Sequence, residues 1–368
     1  MPFNALGYVL GNQIAIIQWY EFFGVLGGSL WILLLNFAIL RLFYNRKIKN
    51  LFWLLATIFL PIAVSIVLYS LPEKSGKTVD ISVISLTDSV ELCCGKNQLT
   101  ETLDLISNND SLFRSDLIVL PEGVCYLPAT SFPYNSYFSS IKRILKENNS
   151  DASIIFGART QDIKRKSLNN KNFYNFAIQC DSSGLVNFRN KRTFTPFGEF
   201  IPYEKLFGKI HRINEIVTLS LKSKPEYDNI FTFDSIKILP LICYELYFGN
   251  KIAKYVDQSN TALIVVLSND YSAEKQMFTN QFMRMARANA VSVQKPVAKS
   301  ASHGISFIVS AQGNVLVKSA FNNTEIIQVK VITNNEKTLF AKFGNIAVFV
   351  VWVLLFLLIL TFNFYENK

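Results

Sequence analysis

Leu239-Pro240-Leu241-Ile242-Cys243-Tyr244-Glu245 reads as a buried apolar strand that stops on a thiol, with a helical pattern, Leu246 to Gln258, directly after it. A cysteine at such a junction meets backbone N–H groups and the positive end of a helix dipole, which predicts a depressed thiol pKa and a ready thiolate. Taken alone, the same residue is equally an ordinary buried structural cysteine. Outward from it, β-branched and apolar runs of strand length recur at Val79 to Leu86, Asp116 to Leu120, Ser153 to Gly157, Tyr174 to Gln179, Ile236 to Ile242, Ala262 to Ser268, Ile305 to Ser310 and Glu325 to Val331. Helical patterns separate several of them, at Leu99 to Asn109, Tyr137 to Asn148 and Glu274 to Val293. This alternation predicts a layered α/β domain with buried sheets over residues 72–341. Lys205 to Asp234, charged and irregular, reads as a long excursion from that core.

Two other segments carry chemistry-bearing side chains. Leu117-Ile118-Val119-Leu120-Pro121-Glu122 is an apolar strand whose end presents a carboxylate, a position for a catalytic base and also a common place for a turn acid. Phe188-Arg189-Asn190-Lys191-Arg192 leads into Pro196-Phe197-Gly198-Glu199-Phe200-Ile201-Pro202, a basic cluster followed by a compact turn. The five cysteines, Cys93, Cys94, Cys125, Cys180 and Cys243, form no C-x-x-C pair, and His211 and His303 are far apart, so no zinc-ligand spacing is present. Cys93 and Cys94 are expected as packing residues or an unrelated bridge.

Half of the 368 residues are hydrophobic, and their distribution is uneven. Phe22 to Leu40, Leu51 to Leu71 and Phe343 to Tyr365 contain no charged residue, and each meets the roughly 20-residue length that spans a bilayer core. Three transmembrane helices are therefore expected, two before the α/β domain and one after it. The short segment 41–50 between the first two is rich in Arg and Lys, so it is expected in the cytoplasm with the domain on the opposite side. That topology makes residues 1–21 an external segment. The net charge of +10 is scattered, without the arginine-rich stripe of a nucleic-acid groove, and fits a surface near anionic headgroups.

Together, in this order and spacing, the three chemical segments resemble the nitrilase (carbon–nitrogen hydrolase) superfamily, with Glu122, Lys191 and Cys243 at the places of its Glu-Lys-Cys triad. Within it the chain is similar to the apolipoprotein N-acyltransferases. Pro196-Phe197-Gly198-Glu199 after Lys191 and Tyr244-Glu245 after Cys243 carry the resemblance, supported by Tyr174-Asn175, Ser268-Asn269-Asp270 and Gly304-Ile305-Ser306. It implies an α-β-β-α sandwich and an inner-membrane enzyme with an extracytoplasmic domain. The implied reaction moves an acyl chain from a phospholipid, through a Cys243 thioester, to the α-amine of a diacylglyceryl-cysteine on a lipoprotein, with no metal or organic cofactor. Glu199 and Glu245 are implied as supporting residues that orient Lys191 and tune the site's charge, a backbone N–H near Tyr244 as an aid to Lys191 at the oxyanion, and Tyr126, Phe132, Tyr134 and Phe197 as substrate-access aromatics. The family's longer helix bundle is represented by its last two members, as expected of a shortened relative or a fragment. Leu120 stands where the family carries Trp, Tyr271-Ser272 where it carries Trp-Phe-Gly, and Ser292 where it carries an acidic helix residue. A membrane-tethered hydrolase that passes the acyl group to water shares the triad, and a catalytically silent scaffold shares the fold.

Overall fold

The computed structural model describes residues 5–73, 76–87, 98–128, 136–161, 173–203, 229–271, 275–346, 349 and 353. The helices are α1 (Ile14–Ile17), α2 (Tyr20–Tyr44), α3 (Ile48–Ser70), α4 (Gln98–Ser107), α5 (Ser136–Glu147), α6 (Gly249–Ser259), α7 (Gln276–Val293) and α8 (Leu339–Phe343). The strands are β1 (Thr78–Ser85), β2 (Leu117–Val119), β3 (Cys125–Pro128), β4 (Ser153–Gln161), β5 (Phe173–Cys180), β6 (Val186–Asn190), β7 (Phe231–Phe233), β8 (Ile236–Ile242), β9 (Leu263–Asn269), β10 (Val297–Ser302), β11 (Phe307–Val309), β12 (Val315–Lys318) and β13 (Glu325–Ile332).

Among the described residues the strands form two sheets, ordered β13-β1-β2-β4-β5-β6, with β3 beside β4, and β12-β11-β10-β9-β8-β7. The period of two in each strand makes the layers. Ile81, Val83, Leu117, Val119 and Ile155 of the first sheet meet Ile238, Ile242, Leu263, Val265 and Leu267 of the second in a shared core. The alternate residues of the first sheet, among them Ile118, Ile154 and Phe156, pack on Leu103, Ile106, Ile141 and Leu145 of α4 and α5. Those of the second, Leu239, Leu241, Ile264 and Val266, pack on Ile252 and Val256 of α6 and Ala286 and Ala290 of α7. The result is an α-β-β-α sandwich. Both faces of each sheet are covered, which is why these strands read as near-continuous apolar runs. Pro240 is tolerated inside β8 because β7 pairs only as far as Ile238, leaving no ladder donor missing beyond it on that side.

Helices α2 and α3 are long and apolar enough to cross a membrane. Phe52, Trp53, Phe59, Leu60 and Val67 of α3 are exposed, unlike the apolar residues of a soluble core helix. Helix α2 runs past its uncharged segment at both ends and α3 begins three residues before its own, so the basic connection shortens to residues 45–47. The expected third span lies almost wholly outside the described residues, as do Cys93, Cys94 and residues 204–228 of the charged excursion.

The segment before α2 packs against the domain. Tyr8, Ile17, Trp19 and Tyr20 share a core with Tyr244, Tyr247, Met285 and Val291. Gln18 Nε2 donates to the Gln312 carbonyl at 3.0 Å, and Tyr69 of α3 donates to Asn314 at 2.7 Å. Helix α2 bends at Gly24, where φ is +63° and a Cβ would lie 2.4 Å from the Phe340 ring.

Gly157 of β4 closes the first sheet under the carboxylate-bearing strand end, since a Cβ there would lie 2.5 Å from Glu122 Cα and 2.7 Å from the Gly123 nitrogen. Gly157→Ala is expected to cost about 1–3 kcal/mol through backbone displacement. Gly198→Ala, where a Cβ meets nothing nearer than 3.7 Å, serves as the comparison. Chemical denaturation in detergent should rank the two variants in that order.

Candidate active site

The carboxyl ends of β2, β6, β8 and β9 lie together, and the candidate residues follow them. Glu122, just past β2, is 4% exposed. Its Oε1 accepts from Asn175 Nδ2 at 2.6 Å, and its Oε2 accepts from the Asn269 backbone N–H at 3.1 Å. Lys191 Nζ lies 3.5 Å and Arg159 3.7 Å from Oε1. Burial pushes this carboxyl up, but Lys191, Arg159 and the two hydrogen-bond donors together hold it below the ordinary glutamate range.

Lys191 follows β6 and is 1% exposed. Its backbone N–H donates to the Asn175 carbonyl at 2.9 Å, so Asn175 grips both Glu122 and Lys191. Its Nζ donates to Glu199 Oε1 at 2.5 Å. Burial opposes the ammonium, and Glu122, Glu199 and Cys243 more than offset it, so the pKa stands above the normal lysine value. Glu199 is placed by its own turn, in which its Oε2 accepts from the Thr195 N–H at 2.7 Å and Phe197 adopts φ +61°.

Cys243 stands where β8 gives way to a five-residue 3-10 turn, Cys243–Tyr247, with φ +49°. For a residue with a Cβ this is a strained conformation, of the kind concentrated at functional sites. Its thiol lies in the electrostatic field of Glu122, Lys191, Asp270 and Glu199. The depressed pKa expected from the sequence is not what the structure gives. Burial first, then the negative charges of Glu122, Asp270 and Glu199, push the thiol up to about 12, against a smaller lowering by Lys191. A single 3-10 turn supplies too little dipole to reverse desolvation beside three carboxylates.

Glu245 also differs from its expected role. It does not touch Lys191; its Oε2 accepts from Arg189 at 2.9 Å and from the Ile242 N–H at 2.9 Å, and its Oε1 accepts from the Arg192 N–H at 2.7 Å. It thereby ties the Arg189 side chain and the Arg192 backbone, which flank Lys191, to the residue before Cys243. Tyr244 is buried, with its ring edge-on to Tyr247 at 5.4 Å and to Phe248 at 5.2 Å. Of the access aromatics, Phe197 is exposed, Tyr126 falls in β3, and Phe132 and Tyr134 lie outside the described residues.

Behind the site, Lys299 of β10 donates to Asp270 Oδ2 at 2.5 Å, and Ser268 donates to Asp270 Oδ1. Lys299 and Arg159 are the charged neighbours that sequence reasoning missed. Arg159 was accessible to it, because the period of two through Ile155 and Gly157 continues to Arg159 once β4 is followed to its observed end.

The carbon-nitrogen hydrolase family model matches residues 97–335, the segment that contains all of these groups. The chain belongs to the carbon-nitrogen hydrolase family. This carbon-nitrogen hydrolase is similar to proteins named apolipoprotein N-acyltransferase. That of Haemophilus influenzae is 27% identical over 359 residues, covering 94% of this chain and 67% of the relative. That of Wigglesworthia glossinidia brevipalpis is 26% identical, covering 88% and 63%, and that of Pasteurella multocida 26%, covering 71% and 50%. The chain thus spans half to about two thirds of the length of these relatives. A carbon-nitrogen hydrolase structure from Helicobacter pylori G27 aligns with a TM-score of 0.47 at 16% identity, covering 69% of this chain and 89% of that one.

Two outcomes follow from the geometry. Alkylation of Cys243 by iodoacetamide, followed by mass spectrometry, should rise about tenfold per pH unit without levelling below pH 10, consistent with a thiol near 12. Lys191→Met should slow it and Glu122→Gln should speed it, because the first removes the lowering charge and the second a raising one. A plateau below pH 9 in the unmodified protein contradicts this. Because the folded pKa of Glu122 is depressed, its ionisation stabilises the fold above about pH 4.3, the unfolded value, and that stability is lost as pH falls through the folded value. Separately, Glu245→Ala should cost about 3–5 kcal/mol in urea denaturation, since it removes the carboxylate from a buried ion pair with Arg189.

Proposed function

We propose that the chain is a membrane-anchored N-acyltransferase that carries an acyl group on Cys243 from a phospholipid to the α-amine of a diacylglyceryl-cysteine at a lipoprotein N-terminus. The observation that carries the proposal is the meeting of a depressed carboxylate, a buried ammonium and a strained cysteine at one end of the two sheets. The similarity to apolipoprotein N-acyltransferases supports the choice of acyl donor and acceptor.

Glu122 takes the thiol proton as Cys243 Sγ attacks the ester carbonyl, and the carbonyl oxygen gains the negative charge. Lys191 stabilises that oxyanion, a contribution worth about 2.7–4 kcal/mol for one preorganised donor. Collapse breaks the C–O bond, the departing lysophospholipid oxygen takes the proton back from Glu122, and a thioester remains. The acceptor amine then attacks the thioester while Glu122 accepts its proton. The C–S bond breaks, the thiolate is reprotonated from Glu122, and an amide is released.

Glu199 holds the Lys191 ammonium in place, and Glu245 holds the backbone around it. The φ of Cys243 presents the thiol at the strand end. The apolar surfaces of α2 and α3 keep the domain at a bilayer, with the basic connection cytoplasmic and the domain outside. There a reactive ester reaches the site while its acyl chains remain in lipid. Phe197, exposed in the turn that carries Glu199, lies at the rim through which it enters.

Incubation of the purified protein with phospholipid should add one acyl mass to Cys243, and a diacylglyceryl-cysteine peptide should discharge it as the N-acyl peptide. Cys243→Ala should show no adduct, and Lys191→Met should slow adduct formation by about 10²–10³. Free fatty acid without N-acylated peptide would make the protein a hydrolase, and an unmodified thiol a silent scaffold.

A further inference from the structure

Arg159 enters the site from the end of β4, on the face that carries Ile155 and Gly157, with its side chain about one-fifth exposed. Its guanidinium lies 3.7 Å from Glu122 Oε1, inside ion-pair range but beyond a hydrogen bond. Its Nε is buried, and among the described residues it has no hydrogen-bond partner. Lys191, by contrast, is closed off from solvent and committed to Glu199 and Glu122. The site therefore holds a sealed cation that faces the reacting atoms and a second, partly open cation whose donor fork is unspent.

We propose that Arg159 binds the phosphodiester of the donor phospholipid and so selects a charged lipid over a neutral one for the first half of the reaction. This rests on the acyl-transfer reading above. A planar guanidinium matches two phosphate oxygens with paired N–H donors, and a partly desolvated position strengthens the pairing. The phosphate of a glycerophospholipid lies only a glycerol's length from the ester that Cys243 attacks, so a cation beside Glu122 is within reach of it.

The charges agree with this order of events. As Glu122 takes the thiol proton it loses the charge that Arg159 faces, and the lipid phosphate supplies a replacement anion at that moment. The acceptor brings a basic amine in place of a phosphate, so Arg159 has no partner to gain in the second half. Arg159 is then a binding residue for the donor, and Glu122, Lys191 and Cys243 carry the bond changes.

The test uses the full chain in detergent and follows acyl-Cys243 by mass spectrometry with two donors carrying the same acyl chains, an anionic phosphatidylglycerol and the corresponding diacylglycerol. The unmodified protein should favour the phospholipid. Arg159→Gln should lower kcat/KM for the phospholipid about tenfold to a hundredfold more than for diacylglycerol, chiefly through KM, and Arg159→Lys should restore part of the difference. Equal losses on both donors would mean that Arg159 acts only through Glu122, and no loss on either would mean that it does neither; each overturns the proposal. Iodoacetamide labelling of Cys243 in Arg159→Gln checks that the site still forms. An unmodified protein that forms acyl-Cys243 from neither donor sinks the acyl-transfer reading itself, whereas equal use of both sinks only the assignment of Arg159.

Discussion

A lysine ammonium withdrawn from water has to be neutralised where it stands, and the arrangement around Lys191 answers that constraint. With the residue 1% exposed, removing hydration costs several kcal/mol, and the compensation comes from Glu199 at 2.5 Å and Glu122 at 3.5 Å. Each carboxylate is fixed in turn by backbone. Glu199 accepts from Thr195 in its own tight turn, and Glu122 accepts from Asn269 of the opposite sheet. The hydrogen bond from Asn269 to Glu122 is therefore one of the contacts that couples the two halves of the sandwich, and Glu245, bridging Arg189 and Arg192 to Ile242, is another.

Much of this fold is legible along the chain because the sheets are covered on both faces. Near-continuous apolar runs mark β1, β2, β5, β8 and β9, and amphipathic patterns mark α4, α5 and α7. What is not legible follows equally from physics. β10, Val-Ala-Lys-Ser-Ala-Ser, carries a buried lysine that pairs with Asp270 and a buried Ser300 that donates to the Ile84 carbonyl, so its composition is that of a loop although every residue is buried. β6 and β3 are short strands at sheet margins, where alternation over four or five residues is weak evidence. At the site, the order of Glu122, Lys191 and Cys243 is visible in one dimension, but the state of the thiol is not. A helix after a cysteine suggests a lowered pKa, whereas the sum of burial and three carboxylates is a three-dimensional quantity.

The anchor is joined to the catalytic layer rather than hung from it. The bend at Gly24 lets α2 leave the domain beside Phe340, and Trp19 packs edge to face on both Tyr20 and Trp31 in the core they share with Tyr244 and Tyr247. Tyr244 directly follows Cys243, so the aromatic cluster that seats the apolar helices also backs the turn that presents the thiol. Gln312 and Asn314, in the turn before β12, hold the end of α3. The seat of the apolar helices and the position of the thiol are thus set by one continuous packing unit, an arrangement suited to the proposed lipid substrate, whose depth its own acyl chains would fix.

The separation between a depressed Glu122 and a raised Cys243 makes direct thiolate formation steeply uphill, which opposes nucleophilic catalysis unless charge is followed through the step. Before attack, the negative charge sits on Glu122 and is paired with Lys191. In the acyl-transfer step proposed above, it would then sit on the former carbonyl oxygen of the substrate, with Glu122 neutral. Lys191 faces both positions, so the field that depresses Glu122 at rest becomes available to the oxyanion as the proton moves, with no reorganisation of the protein. A free thiolate never has to accumulate. A resting thiol near pKa 12 is protected from oxidation and stray electrophiles, and under the proposed mechanism it would react only when an ester carbonyl is in place to receive the charge that Glu122 gives up.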